Sequence, residues 1–126
     1  GLIRSGIGSP VGLTQYLMEI ELADPRHEAE FEKMRRVLQG RYEALRKALD
    51  RPTRHWSVFP FNGGCFCLLK LRAGLNADAV RQQLIHDESV GVVNQGDQYI
   101  RLAFCSIKEE SVEPLITALE RVCEKM

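Results

Sequence analysis

Net charge is missing from this sequence: its 17 lysines and arginines are matched by 17 aspartates and glutamates. That removes the attraction on which binding to nucleic acid or an anionic membrane relies. Basic residues gather only at Arg35, Arg36, Arg41, Arg46 and Lys47, where Glu32 and Glu43 are interleaved, the pattern of a solvated helix face. No apolar run approaches the roughly 20 residues of a membrane span, and no secretory leader is recognisable. A zinc pattern is missing too. Cys65 and Cys67 stand two apart, but Cys105 and Cys123 form no second close pair and no histidine lies at ligand spacing from them. Four such cysteines read as buried, reduced thiols, in keeping with a reducing, cytoplasmic setting.

What is present suits one domain. At 126 residues, 44% of them hydrophobic, the chain can bury a real core. Ser9-Pro10 opens a first helical segment, with Leu13, Tyr16, Leu17 and Ile20 at helical spacing. Asp24-Pro25 has the form of an N-cap followed by proline at the first helical position. The long helix after it carries Phe31, Met34, Leu38, Tyr42, Leu45 and Leu49 as one stripe, expected to be core or a packing face, and ends at Arg51-Pro52.

From Trp56 the period changes to two. Ser57–Phe61 and Cys65–Leu71 read as strands, separated by the turn signal Asn62-Gly63-Gly64. Pro60 makes the first of them short or an edge strand. Asn76 caps a helix to about Glu88 carried by Val80, Leu84 and Ile85; Val90–Val93 is a short apolar strand, and Asn94-Gln95-Gly96-Asp97 turns the chain. The last helix carries Val112, Leu115, Ile116, Leu119 and Val122. Its start is open between Ser106, which with Glu109 resembles a capping box, and Ser111, which puts Pro114 in the tolerant first turn. The expected fold is α+β, with helices on one side of a small, mostly antiparallel sheet.

Tyr99-Ile100-Arg101-Leu102-Ala103-Phe104 is the stretch with chemical content. Alternation places Ile100, Leu102 and Phe104 on one side of a strand and Tyr99, Arg101 and Ala103 on the other. A guanidinium held opposite a core can grip a carboxylate through two parallel hydrogen bonds. The same spacing also fits an arginine on a solvated sheet face.

These segments together resemble the C-terminal small domain of fold-type I pyridoxal-phosphate enzymes, the class I/II aminotransferases. Arg41-Tyr42-Glu43-Ala44-Leu45 resembles the family's arginine-bearing long helix, and Pro60-Phe61-Asn62-Gly63-Gly64-Cys65-Phe66 its Pro-x-x-Gly-Gly-x-Phe turn. Val90-Gly91-Val92-Val93 resembles its short strand, and Ile100-Arg101-Leu102-Ala103-Phe104 its most diagnostic segment, close to Ile-Arg-Leu-Ser-Phe. Asn94-Gln95-Gly96-Asp97-Gln98 departs from the pattern, being shorter and lacking the usual proline and aromatic.

The resemblance implies that Arg101 binds the α-carboxylate of an amino acid or 2-oxo acid. It implies that Asn62 and Gly63 border the substrate mouth, although a plain hairpin turn accounts for them equally well. It implies pyridoxal 5'-phosphate in the full-length protein, a preceding large domain that holds it, and a homodimer. None of Lys33, Lys47, Lys70, Lys108 and Lys125 has the family's Ser-x-Ser-Lys-like context, and no glycine-rich phosphate cup is present. Residues 1–126 are thus expected to be one small-domain fragment, inactive by itself, with no catalytic, cofactor-binding or metal-binding residue of its own. A lyase, a decarboxylase, an aminotransferase-like transcriptional regulator and a free-standing carboxylate-binding module share the same segments as alternatives.

Overall fold

A computed structural model describes residues 11–62 and 64–126. They fall into two compact units, one ending at Arg35 and the other spanning Arg36–Met126. The start expected at Ser9-Pro10 lies outside the described residues.

In the first unit, helix α1 (Gly12–Ala23) buries none of its residues. Leu13, Tyr16, Leu17 and Ile20 keep their helical spacing and stay more than half exposed. Asp24 ends it and starts the next helix. Its carboxylate accepts the Arg26 backbone N–H at 2.8 Å, and the His27 N–H donates to its carbonyl at 3.0 Å. Helix α2 (His27–Leu49) therefore opens at the expected cap. The stripe along it is not core throughout. Leu45 and Leu49 are buried, but Phe31 and Met34 are half-exposed, with the His27 ring stacked on Phe31 at 6.4 Å.

The second unit holds the sheet. Strands β1 (Trp56–Val58), β2 (Cys67–Leu71), β3 (Val93–Gln95) and β4 (Tyr99–Leu102) lie in the order β1-β2-β4-β3, with every pairing antiparallel. The strand expected at Ser57–Phe61 is short and at an edge, as Pro60 requires. Of the expected turn, Gly63 lies outside the described residues, while Asn62 and Gly64 lie outside the strands, beyond the contact of the Phe59 N–H with the Leu68 carbonyl at 3.0 Å. The strand expected at Val90–Val93 lies further on, at Val93–Gln95. There Asn94 and Gln95 pair with Ile100 and Tyr99. Backbone pairing sets a ladder's extent, and an edge strand tolerates polar side chains.

Register decides the faces. Cys67 opposes Leu102 and Leu69 opposes Ile100, and all four are at most 2% exposed. With Leu71 they form the inner face, packed with Leu45, Val80, Leu84, Ile116 and Leu119 from the helices. Each such side chain contributes roughly 1.5–3 kcal/mol through burial. The outer face carries Ser57, Leu68, Lys70, Val93, Tyr99 and Arg101, none of them buried. This is the expected α+β arrangement: four helices and a four-stranded antiparallel sheet among the described residues.

Helix α3 (Ala77–Glu88) starts where the Asn76 side chain accepts the N–H groups of Asp78 and Ala79 at 3.0 and 3.1 Å. Val80 and Leu84 are fully buried, whereas Ile85, expected beside them, points outward and is 48% exposed. Residues one apart on a helix lie about 100° apart, so Ile85 falls off the edge of the stripe. Helix α4 (Val112–Lys125) begins after Ser111, with Pro114 in its first turn. Ser106 and Glu109 lie instead in two short 3-10 turns. The Ser111 side chain makes no capping bond.

The cysteines divide into two kinds. Cys67 and Cys123 are buried, as expected, but Cys65 is exposed and Cys105 half-buried. Cys65 precedes the start of β2 and so escapes the face that buries Cys67. Among the described residues no helix is long and apolar enough to cross a membrane, and no three metal-binding side chains converge.

Candidate functional site

The outer face of the sheet takes its character from one cation on an apolar floor. Ile100 and Leu102 fill the inner face, so pleating turns Arg101 outward between them. Its cross-strand partners are Leu68 on β2 and Val93 on β3. The Arg101 guanidinium lies over the Phe66 ring, 4.6 Å from its centre, a cation–π arrangement. Phe59 and Tyr99 continue the aromatic surface, with ring centres 6.0 Å apart.

No carboxylate answers this cation among the described residues. Arg26, Arg35, Arg51, Arg81 and Arg121 each hold an aspartate or glutamate within 3.0 Å. A cavity of about 490 Å³ opens beside Arg101, lined mainly by apolar groups that include Val93, Leu102, Ile107 and Leu115. Arg121 also reaches it but is held by Glu88 at 3.0 Å. Of these two lining cations, Arg101 is the one without an acidic partner among the described residues. A planar fork on a rigid strand over an aromatic ring can accept a carboxylate with both oxygens bonded.

The connection 59–66 is anchored from beneath. Phe61 packs edge-on against Tyr42 of α2 at 5.3 Å and against Phe104 at 6.0 Å, while Tyr42 and Phe104 lie 6.3 Å apart. Arg41, beside Tyr42, donates to the carbonyl of Cys105. One helix thus ties down both the connection and the segment after β4. Asn62 is exposed on that connection; Gly63, expected beside it at the site, lies outside the described residues.

Arg101 and Phe66 are brought together by register, and only Arg101 was marked by its own sequence pattern. The signal for Phe66 was available: it stands two residues before Leu68, hence diagonally across from Arg101 once β2 and β4 are paired.

Fold and site thus define, within the second unit, an α+β arrangement whose inner sheet face packs on helices and whose outer face carries an exposed arginine. Residues 2–119 match the family Aminotransferase class I and II, and the chain belongs to that family. No curated protein matches it. Among solved structures it is similar to LysN, the α-aminoadipate aminotransferase of Thermus thermophilus, with a TM-score of 0.75 and 23% identity over 97% of this chain and 33% of that one. An aminotransferase of Anaerococcus prevotii gives 0.73 and 21%, over 94% of this chain and 28% of that one. The kynurenine aminotransferase of Pyrococcus horikoshii gives 0.69 and 18%, over 80% and 27%. The chain spans about a third of the length of these relatives or less.

The family depends on pyridoxal phosphate, which a lysine must hold away from water. Lys33, Lys47, Lys70, Lys108 and Lys125 are all exposed, and Lys125 is engaged by Asp87 at 3.3 Å. The lysines of this chain do not fit that role.

Proposed function

We propose that this chain is the C-terminal small domain of a pyridoxal-phosphate-dependent aminotransferase, in which Arg101 holds the α-carboxylate of the amino acid or 2-oxo acid substrate. The observation that carries the reading is the unanswered guanidinium on the open sheet face, fixed over Phe66. A two-point grip on a carboxylate restricts rotation about the bond to Cα. It thereby orients the Cα–H bond that must break, an orientation effect on the rate. The inner-face residues Ile100 and Leu102 set the strand on which the guanidinium stands, so its position is pre-organised by the core.

In this reading the preceding large domain supplies the cofactor-bearing lysine and the wall opposite Arg101, Asn62 and Gly63 border the substrate entrance, and two full-length chains pair as a homodimer. The chain alone turns nothing over. Family membership and the length of the solved relatives support this division.

The test is the protein joined to its upstream sequence, assayed with an amino acid donor and a 2-oxo acid acceptor. Losing two charge-assisted hydrogen bonds should lower kcat/KM for both substrates by on the order of 100-fold in Arg101→Ala. Arg101→Lys keeps the charge but not the fork, and should recover only part of that loss. Unchanged kcat/KM for both substrates in Arg101→Ala would remove the assignment.

A further inference from the structure

Two of the four thiols stand together at the rim of the open sheet face. Cys65 lies two residues before Cys67 of β2, and Cys105 three residues after Leu102 of β4; those strands pair Cys67 with Leu102. Beyond the sheet the two segments remain in contact, because the Cys105 N–H, in a short 3-10 turn, donates to the Cys65 carbonyl at 3.4 Å. A backbone hydrogen bond of this kind brings the two segments to close range. A disulfide requires Cα atoms roughly 4.4–6.8 Å apart. Electrostatic interaction with Cys105 raises the pKa of the Cys65 thiol, in keeping with neighbouring side chains. Both backbones are already anchored: Arg41 holds the Cys105 carbonyl, and Phe61 packs on Phe104. The backbone contact thus brings the two cysteines together on anchored segments.

We propose that Cys65 and Cys105 are a redox-active pair that a peroxide converts into a reversible intramolecular disulfide, stapling the connection 59–66 to the segment that follows β4. The peroxide takes an electron pair from one thiolate. Its O–O bond breaks, an S–O bond forms, and that sulfur becomes a sulfenic acid. The second thiolate then attacks the oxidised sulfur. The S–S bond forms, the S–O bond breaks, and hydroxide leaves with the thiol proton as water. With hydrogen peroxide, two thiols and one peroxide yield one disulfide and two waters. A dithiol reductant reverses the step by exchange.

Exposure makes the pair selective. Cys65 is open to solvent, whereas Cys67 and Cys123 are buried and shielded from a peroxide in solution. The staple also has a direct neighbour in Phe66, the residue that floors Arg101, so the disulfide fixes one wall of that site. Formation of the bond itself does not depend on what Arg101 binds.

The test treats the 126-residue chain with hydrogen peroxide, alkylates the remaining thiols and digests without reduction. The expected product is a cross-linked peptide pair two hydrogens lighter than its parts, lost on adding dithiothreitol. Cys65 and Cys67 share the tryptic peptide between Arg54 and Lys70, so the variants assign the bond. Cys65→Ser and Cys105→Ser should each abolish the link. The proposal fails if the link survives in Cys65→Ser. It fails equally if the wild-type thiols go separately to sulfinic or sulfonic acids, or cross-link only between chains.

Discussion

Arg101 and Phe66 form a stacked pair, guanidinium over ring at 4.6 Å, although Phe66 precedes the start of β2 and Arg101 lies within β4. The pairing Leu68↔Arg101 makes them diagonal neighbours on the open face. Both groups remain partly exposed, so their mutual stabilisation is modest, about 0.5–1 kcal/mol. A double-mutant cycle of Phe66→Ala and Arg101→Ala, read by urea unfolding, should return a coupling of that size. A coupling of zero would mean the ring does not position the guanidinium.

Pyridoxal phosphate added to the chain, followed by borohydride, should label its exposed lysines in proportion to their accessibility. None of Lys33, Lys47, Lys70, Lys108 and Lys125 lies in a site that would concentrate the label. Mass mapping decides this: stoichiometric modification of a single lysine contradicts the assignment of the cofactor to the preceding domain.

Asn76→Ala removes the only side chain that caps α3, leaving the N–H groups of Asp78 and Ala79 to water. The expected cost is about 1 kcal/mol, with Asn76→Asp close to neutral. Thermal unfolding of the two variants side by side separates the cap from a general effect of substitution.

Gly40 sits inside α2, where glycine costs about 0.8–1 kcal/mol relative to alanine. A Cβ built there meets only the Glu109 carboxylate, with Oε2 at 2.7 Å. Glu109 is exposed and its side chain can swing away. Gly40→Ala should therefore raise the unfolding midpoint, by up to about 1 kcal/mol of stability. A destabilised variant would show that the approach of Glu109 to the helix is itself needed.

The two buried thiols make stability sensitive to alkali. Burial raises Cys67 and Cys123 from 9.0 to about 11 in the folded chain. A raised thiol contributes stability that is full below about pH 9 and is lost as pH climbs toward about 11, because the unfolded chain ionises first. Between about pH 8 and 10 the loss should be on the order of 1 kcal/mol for each thiol. Urea midpoints at the two pH values should differ less in Cys123→Ala than in the wild type.

Much of this was legible along the chain because the signals are local. Asn76 caps its helix through its own neighbours, Pro60 blocks an interior strand position wherever it lies, and the alternation of Ile100, Arg101 and Leu102 follows from the pleat. Other features depend on what faces what. Phe31 and Met34 continue a stripe that is buried only from Leu45 onward, and Ile85 follows Leu84 yet lies outside the core. A period states that residues share a face; it does not state that anything covers the face. Likewise Cys65 and Cys67 share a parity, but the strand begins between them, and one ends exposed while the other is sealed.

Residue order alone determined the succession of helices and strands, the Asn76 cap, the side of β4 that enters the core, and membership of the aminotransferase family. Tertiary structure decided which distant groups meet: Phe66 beneath Arg101, Phe61 wedged against Tyr42, the Cys105 N–H on the Cys65 carbonyl. Local signals act through hydrogen bonds and pleating within a few residues, whereas these contacts depend on the register between strands. That register is set only when the inner faces of β2 and β4 pack together against the helices.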